Sequence, residues 1–233
     1  MLKIPGFNKK KYNLHSIRLG LWLRFYTLLY KFFLERLVLY KNSFKKNRNL
    51  EIGPGEYRIP DFETFNKYKT PVVDYLGDLS RKLPFENNSF DLLYLSHVLE
   101  HMPWYKLDEI FSELNRIVKV GGCIEIWVPD GLKIAKAFIE AEEEKGNSFN
   151  LDGWYRFNPT KDPAIWANGR IFSYGDGEGT LGHPNWHLAI FSKRYLIKLL
   201  SSNGFSNISV MENKECRGYD HGWINLGIRA YKL

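Results

Sequence analysis

Along this chain apolar positions fall into two alternating rhythms. Strand-length segments stand at residues 49–52, 63–66, 90–95, 123–128, 208–212 and 223–230. Helical spacing takes over at 132–144 and again at 192–201. Gly146 and Asn147 end the first of these helices, and Asn203 with Gly204 ends the second. Such alternation predicts an α/β domain built on a parallel sheet. A third helical run, residues 17–40, places Leu19, Trp22, Tyr26, Leu29, Phe33 and Leu37 on one side and Arg24, Lys31 and Glu35 on a narrow opposite stripe.

The first strand leads straight into Glu51-Ile52-Gly53-Pro54-Gly55. That is where a parallel sheet opens its ligand crevice, and glycine lets a ligand approach the backbone closely. A nicotinamide fingerprint would place a third glycine at position 58, which here is Arg58. Few residues separate Gly55 from the second strand and Pro60 interrupts them, so a crossover helix and its phosphate-binding N-terminus are not expected there.

Five blocks follow in order: Glu51-Ile52-Gly53-Pro54-Gly55; Gly77-Asp78-Leu79 before Leu83-Pro84-Phe85; Asn88-Ser89-Phe90-Asp91; Ser96-His97-Val98-Leu99-Glu100-His101; and Gly121-Gly122-Cys123 leading to Pro129-Asp130. With them the segment from about Asn49 to Asp130 resembles the class I S-adenosylmethionine-dependent methyltransferases, particularly a compact branch associated with surface polysaccharide and glycan biosynthesis. The resemblance implies a Rossmann-like sheet of seven strands, mostly parallel, with the last strand antiparallel. It implies S-adenosylmethionine as cofactor and S-adenosylhomocysteine as product. Glu51, Gly53, Pro54, Gly55, Asn66, Asp78, Leu79, Ser96 and His97 are the cofactor-binding positions it marks. Asp78 suits an exocyclic amine such as adenine N6, or serves as a turn cap. Asn66 stands where relatives carry an acid for the ribose hydroxyls, so any bond it makes there lacks charge assistance.

The acceptor implied is a sugar hydroxyl of a glycan or surface polysaccharide, with a small aromatic or lipid-linked acceptor as the alternative. A hydroxyl must lose its proton to act as a nucleophile, and histidine is the usual base near neutral pH. His187 is the first candidate and His101 the second, with Asp130 competing from the end of the fifth strand. Two readings of other classes remain open. His97-Val98-Leu99-Glu100-His101 spells the inverted zinc-peptidase pattern, although Pro103 cuts the helix short and no third ligand stands at a fitting spacing, so no metal is expected. A binding module that keeps the cofactor site without turnover is the other.

Residues 150–190 lack a clear period and concentrate Trp154, Tyr155, Phe157, Trp166, Phe172, Tyr174 and Trp186 among Asp152, Arg156, Asp162, Arg170, Asp176, His183 and His187. An irregular insertion this rich in aromatics reads as the acceptor-binding lobe, or as a loop folded over the sheet.

Composition refines the picture at two points. Two cysteines, Cys123 and Cys216, make no disulfide framework and suit a reducing, cytoplasmic compartment. Charge is uneven: residues 1–48 hold twelve of the 33 Lys and Arg but one of the 26 acids. Residues 1–48 thus read as a basic, amphipathic extension to a methyltransferase domain spanning 49–233. The helix at 17–40 carries too many charges to cross a membrane. It suits an in-plane contact with anionic lipid, helped by Lys9, Lys10, Lys11, Lys45 and Lys46, or a seam against its own domain or a second copy. No nucleic-acid-binding module accompanies the charge.

Overall fold

The computed structural model describes residues 29–146, 148–152, 158–173 and 183–233. The chain divides into two units between Phe44 and Lys45. In the first, a π-helical stretch, Tyr30–Leu34, leads into helix α1, Glu35–Ser43. Residues 17–28 of the amphipathic run, and Lys9 to Lys11, lie outside the described residues. No helix among the described residues is long and apolar enough to cross a membrane.

The second unit is built on one sheet of seven strands: β1 (Asn49–Ile52), β2 (Phe62–Asn66), β3 (Tyr75–Leu76), β4 (Phe90–Ser96), β5 (Val118–Pro129), β6 (Phe205–Met211) and β7 (Asn225–Lys232). Their spatial order is β3-β2-β1-β4-β5-β7-β6. The first five are parallel, and β7 runs antiparallel to both of its neighbours. This is the Rossmann-like methyltransferase sheet that the resemblance implies. Leu50, Leu93, Leu95, Ile124, Ile126 and Val128 are fully buried along its centre, as strands covered on both faces require. Trp127 lies against Gly227, its register partner in β7, where a Cβ would stand 2.4 Å from the indole. Glycine there makes room for the largest side chain of the core.

Helix α2 (Leu107–Ile117) is an element that the pattern above does not single out. It buries Leu107, Ile110, Phe111, Leu114 and Ile117, the i, i+3, i+4, i+7 stripe of one helix face. Helix α3 (Gly131–Glu142) starts at the cap Asp130. The insertion is more regular than expected: residues Ser148–Asp152 form a 3-10 turn and Pro163–Phe172 form helix α4. Asp162 caps α4 by accepting the amide of Ile165 at 3.0 Å, and Pro163 supplies the fixed φ of its first turn. Trp166 then packs with Phe149 and with Ile134 and Ala137 of α3, fastening the insertion to the domain. Trp154, Tyr155, Arg156, Phe157, Tyr174 and Asp176 lie outside the described residues. Helix α5 (Lys193–Ser202) begins where Ser192 Oγ accepts the amide of Tyr195 at 3.3 Å.

Residues 53–61, between β1 and β2, contain no helix. As the spacing predicts, no crossover helix stands there, and Tyr57 to Pro60 of the loop line a cavity.

Candidate active site

The turn after β1 is shaped by two glycines with different tasks. Gly53 has φ +74° and donates its amide to Phe65 O at 2.9 Å; a Cβ on it would meet Val98 Cγ2 at 2.3 Å. It is required by the backbone and by packing. Gly55 has open space where a Cβ would be and faces a cavity of about 700 Å³. Beside it Glu51 is buried, with Oε2 accepting the amide of Ile59 at 3.1 Å. Burial raises its pKa above the usual carboxylate range, against that hydrogen bond and the charge of Arg58. The loop therefore offers a desolvated carboxylate that a cation would stabilise.

The cavity lies over the carboxyl ends of β1, β4 and β5, the position of the crevice in open α/β sheets. Gly53, Gly55, Ser96 and His97 line one side; Arg170, Asn185 and His187 from the insertion line the other. A third wall, Arg217 to Tyr219 with His221, is pinned from below by Tyr94. Its hydroxyl accepts the amides of Arg217 and Gly218, both at 3.2 Å, and lies 3.3 Å from Cys216 Sγ. Arg217 also holds buried Glu125 through two hydrogen bonds of 2.6 and 3.0 Å.

Polar groups converge at the end of β4. His97 sits in the left-handed region with φ +53°, and its Nδ1 lies 3.2 Å from Glu100 Oε1. Its Nε2 lies 2.9 Å from Asn225 Oδ1. The Asn225 amide nitrogen donates to Asp220 Oδ1 at 2.7 Å, which fixes the oxygen toward His97. Both ring nitrogens thus face acceptors. Burial disfavours the imidazolium, but Glu100 and Asn225 outweigh it and raise the His97 pKa. Glu100, 2% exposed, is pulled the other way: burial raises its pKa and His97 more than reverses this. Each partner thus favours the charged form of the other. His221 stacks on His97 with ring centroids 3.6 Å apart, and packing there together with the His97 charge lowers its pKa.

The chain returns to this point from the insertion. Leu188 and Ala189 donate their amides to Glu100 O at 2.6 and 3.1 Å, and Phe191 bridges to Asp130. This short pairing sets His187 beside His101, with ring centroids 5.0 Å apart. His101 Nδ1 lies 3.2 Å from Trp186 O, and His187 Nδ1 lies 3.2 Å from Arg170 O. Burial lowers the His187 pKa, so its ring is neutral near pH 7 with Nε2 carrying the lone pair.

Of the residues marked from sequence, Glu51, Gly53, Gly55, Ser96, His97, His101 and His187 line this one cavity. Pro54, Asn66, Asp78 and Leu79 do not line it. Asn66 ends β2 and Asp78 lies just beyond β3, where Gly77 N donates to Asn66 O at 3.0 Å. Asp78 Oδ1 accepts from the Ser80 amide and hydroxyl at 3.0 and 2.7 Å, and Oδ2 lies 3.4 Å from Lys67 Nζ. Those partners lower its pKa in spite of burial. Asp130 does not line the cavity either: its Oδ1 accepts the amides of Leu132 and Lys133 at 3.0 and 3.4 Å and caps α3. Sequence reasoning passed over Asn225, Arg217 and His221. Each lies more than a hundred residues after β4, and no local pattern joins them to it.

S-adenosylmethionine joins an adenosine to an amino-acid arm, and the residues present fit that arm. Gly55 leaves room for close approach, and Glu51 offers a buried carboxylate to an ammonium or sulfonium charge.

Residues 58–126 match the family model described as a methyltransferase domain, from the loop before β2 into β5. No curated protein gives a significant match. Similar solved structures include the CurJ carbon methyltransferase at 15% identity, covering 80% of this chain and 48% of that one with a TM-score of 0.46. This chain thus spans about half of that one. A SAM-dependent methyltransferase of Thermotoga maritima, described as a possible histamine N-methyltransferase, is 19% identical over 92% of this chain and 99% of that one, with a TM-score of 0.48. A SAM-dependent methyltransferase of Archaeoglobus fulgidus is 16% identical over 89% and 99%, also with a TM-score of 0.48.

Proposed function

We propose that the protein is an S-adenosylmethionine-dependent O-methyltransferase acting on a hydroxyl of a sugar in a glycan or surface polysaccharide. The observation that carries this is the single cavity in which the Gly53–Gly55 turn and Glu51 face His101 and His187 across the ends of β1 and β4. When bound, the cofactor supplies an electrophilic methyl group on sulfur. Glu51, Gly53, Gly55 and Ser96 would hold its amino-acid arm, and Asn66 and Asp78 the adenosine beyond. Arg170, Asn185 and Arg217 give the cavity a polar lining and Tyr57 and Tyr219 an aromatic one, a mixture that suits a sugar. His187, neutral and with its Nδ1 hydrogen held by Arg170 O, accepts the acceptor's proton at Nε2; His101 is its neighbour in that role.

A second acceptor class has its own support. An apolar cavity of about 700 Å³, walled by Trp104, Leu132, Phe172 and Ile190, shares His187 with the polar one. A lipid-linked or aromatic acceptor would place its apolar part there and its hydroxyl at His187. Transfer of labelled methyl from S-adenosylmethionine to simple glycans, lipid-linked sugars and phenols, separated by chromatography, tests both readings. Label in the sugar fractions, lost in His187→Ala, is the expected result. Label in phenols alone would exclude the sugar, and label in no fraction with intact cofactor binding would favour a module without turnover.

A further inference from the structure

We propose that Glu100, His101 and His187 form a binding site for one divalent transition-metal ion of the zinc class. One ligand atom from each of the three lies within 4.8 Å of the other two. A second observation is independent of that proximity. Glu100 Oε2 is buried and has no hydrogen-bond partner among the described residues, although Oε1 of the same carboxylate is held by His97 Nδ1 at 3.2 Å. A buried carboxylate oxygen left bare is costly, and a cation is the partner that satisfies it best.

The two imidazoles are prepared in the way metal ligands usually are. Each has Nδ1 against a backbone carbonyl, Trp186 O for His101 and Arg170 O for His187, which leaves Nε2 with its lone pair. His97 plays the corresponding part for Glu100 by fixing the carboxylate that would bind. Two imidazoles and one carboxylate suit zinc or cobalt better than magnesium or calcium, which prefer oxygen ligands. Ligands at about 2.1 Å from a tetrahedral ion stand roughly 3.4 Å apart, so binding draws the rings inward. All three residues line the polar cavity, and a fourth position on the ion would open into it. The ligand set is not the His97-Glu100-His101 triplet of the linear motif. His97 supports the site from the far side of the carboxylate, and His187 supplies the third ligand from 86 residues along the chain.

The ion site stands on these contacts alone. Only one consequence rests on the methyl-transfer reading: with an ion bound, the His187 lone pair faces metal, and the ion's charge acts on the acceptor hydroxyl in place of the imidazole. The test uses the full chain, stripped with chelator and titrated with cobalt(II) while visible absorption is followed, then with zinc(II) in competition. The expected result is a saturating spectrum at one equivalent, displaced by zinc and unaffected by excess magnesium. Glu100→Gln and His187→Ala should each weaken it tenfold or more, with His101→Ala in reserve if Glu100→Gln does not fold. Absence of saturable cobalt binding in the parent chain would overturn the proposal, as would undiminished binding in either folded variant. S-adenosylhomocysteine binding, measured on the same preparations, reports separately on the cofactor reading.

Discussion

Individual side chains here divide into those that shape the backbone and those that face the cavity, and the division predicts different outcomes for neighbouring glycines. Gly53→Ala meets both a positive φ and Val98 at 2.3 Å, so it should lower stability by more than about 2 kcal/mol in thermal or urea unfolding. Gly55→Ala meets nothing within 4 Å and should unfold like the parent. His97→Ala removes the imidazole that holds buried Glu100, at a cost of about 3–5 kcal/mol. At this scale the sequence was informative wherever function needs a local shape. Gly53, Gly55 and His97 follow strands directly, and a strand end is visible in one sequence. Asn225 and His187 reach the same place from far along the chain, and their partnership with His97 and His101 depends on tertiary contacts that no local spacing records.

Helices and their ends account for the place of Asp130. An acid after a buried strand in this fold is a reasonable catalytic candidate, but the same position begins α3, and two amides claim its oxygen. Asp130→Ala should therefore cost about 1 kcal/mol of stability and leave S-adenosylhomocysteine affinity unchanged, as calorimetry would show. Asp162-Pro163 announced α4 in the same way, yet the density of Gly, Pro and aromatic residues around it hid the start signal. The end of α2 carries an electrostatic fastening. Glu113 accepts two hydrogen bonds from Arg116, of 2.7 and 2.6 Å, and one from Leu83 N at 2.6 Å. Burial works against its charge, but these bonds lower its pKa. A carboxylate depressed in the folded state stabilises above its unfolded pKa of about 4.3, and that contribution fades as pH falls through the folded value. Acid should thus lower the melting temperature of the parent more than that of Glu113→Gln, with the two curves converging below pH 4.

At the scale of the molecule, most of the sheet was legible because central parallel strands are written as compact apolar runs. β1, β2 and β4 stand close to their expected places, whereas β5 starts earlier, at Val118, and β6 starts at Phe205 and β7 at Asn225 because edge and antiparallel strands alternate and blur at their ends. The missing helix between β1 and β2 was also legible, from Pro60 and the short spacing, and it matters for function. Without it, Tyr57 to Pro60 close the cavity that joins Gly55 to His187. The central claim is that this cavity holds the amino-acid arm of S-adenosylmethionine. Calorimetric titration of the parent chain and of Gly55→Leu with S-adenosylhomocysteine tests it most directly, because a side chain at that position enters the cavity without touching the core. Saturable binding in the parent, reduced at least tenfold in a variant whose melting temperature is unchanged, is the predicted result; no binding by the parent, or equal binding by both, would contradict it.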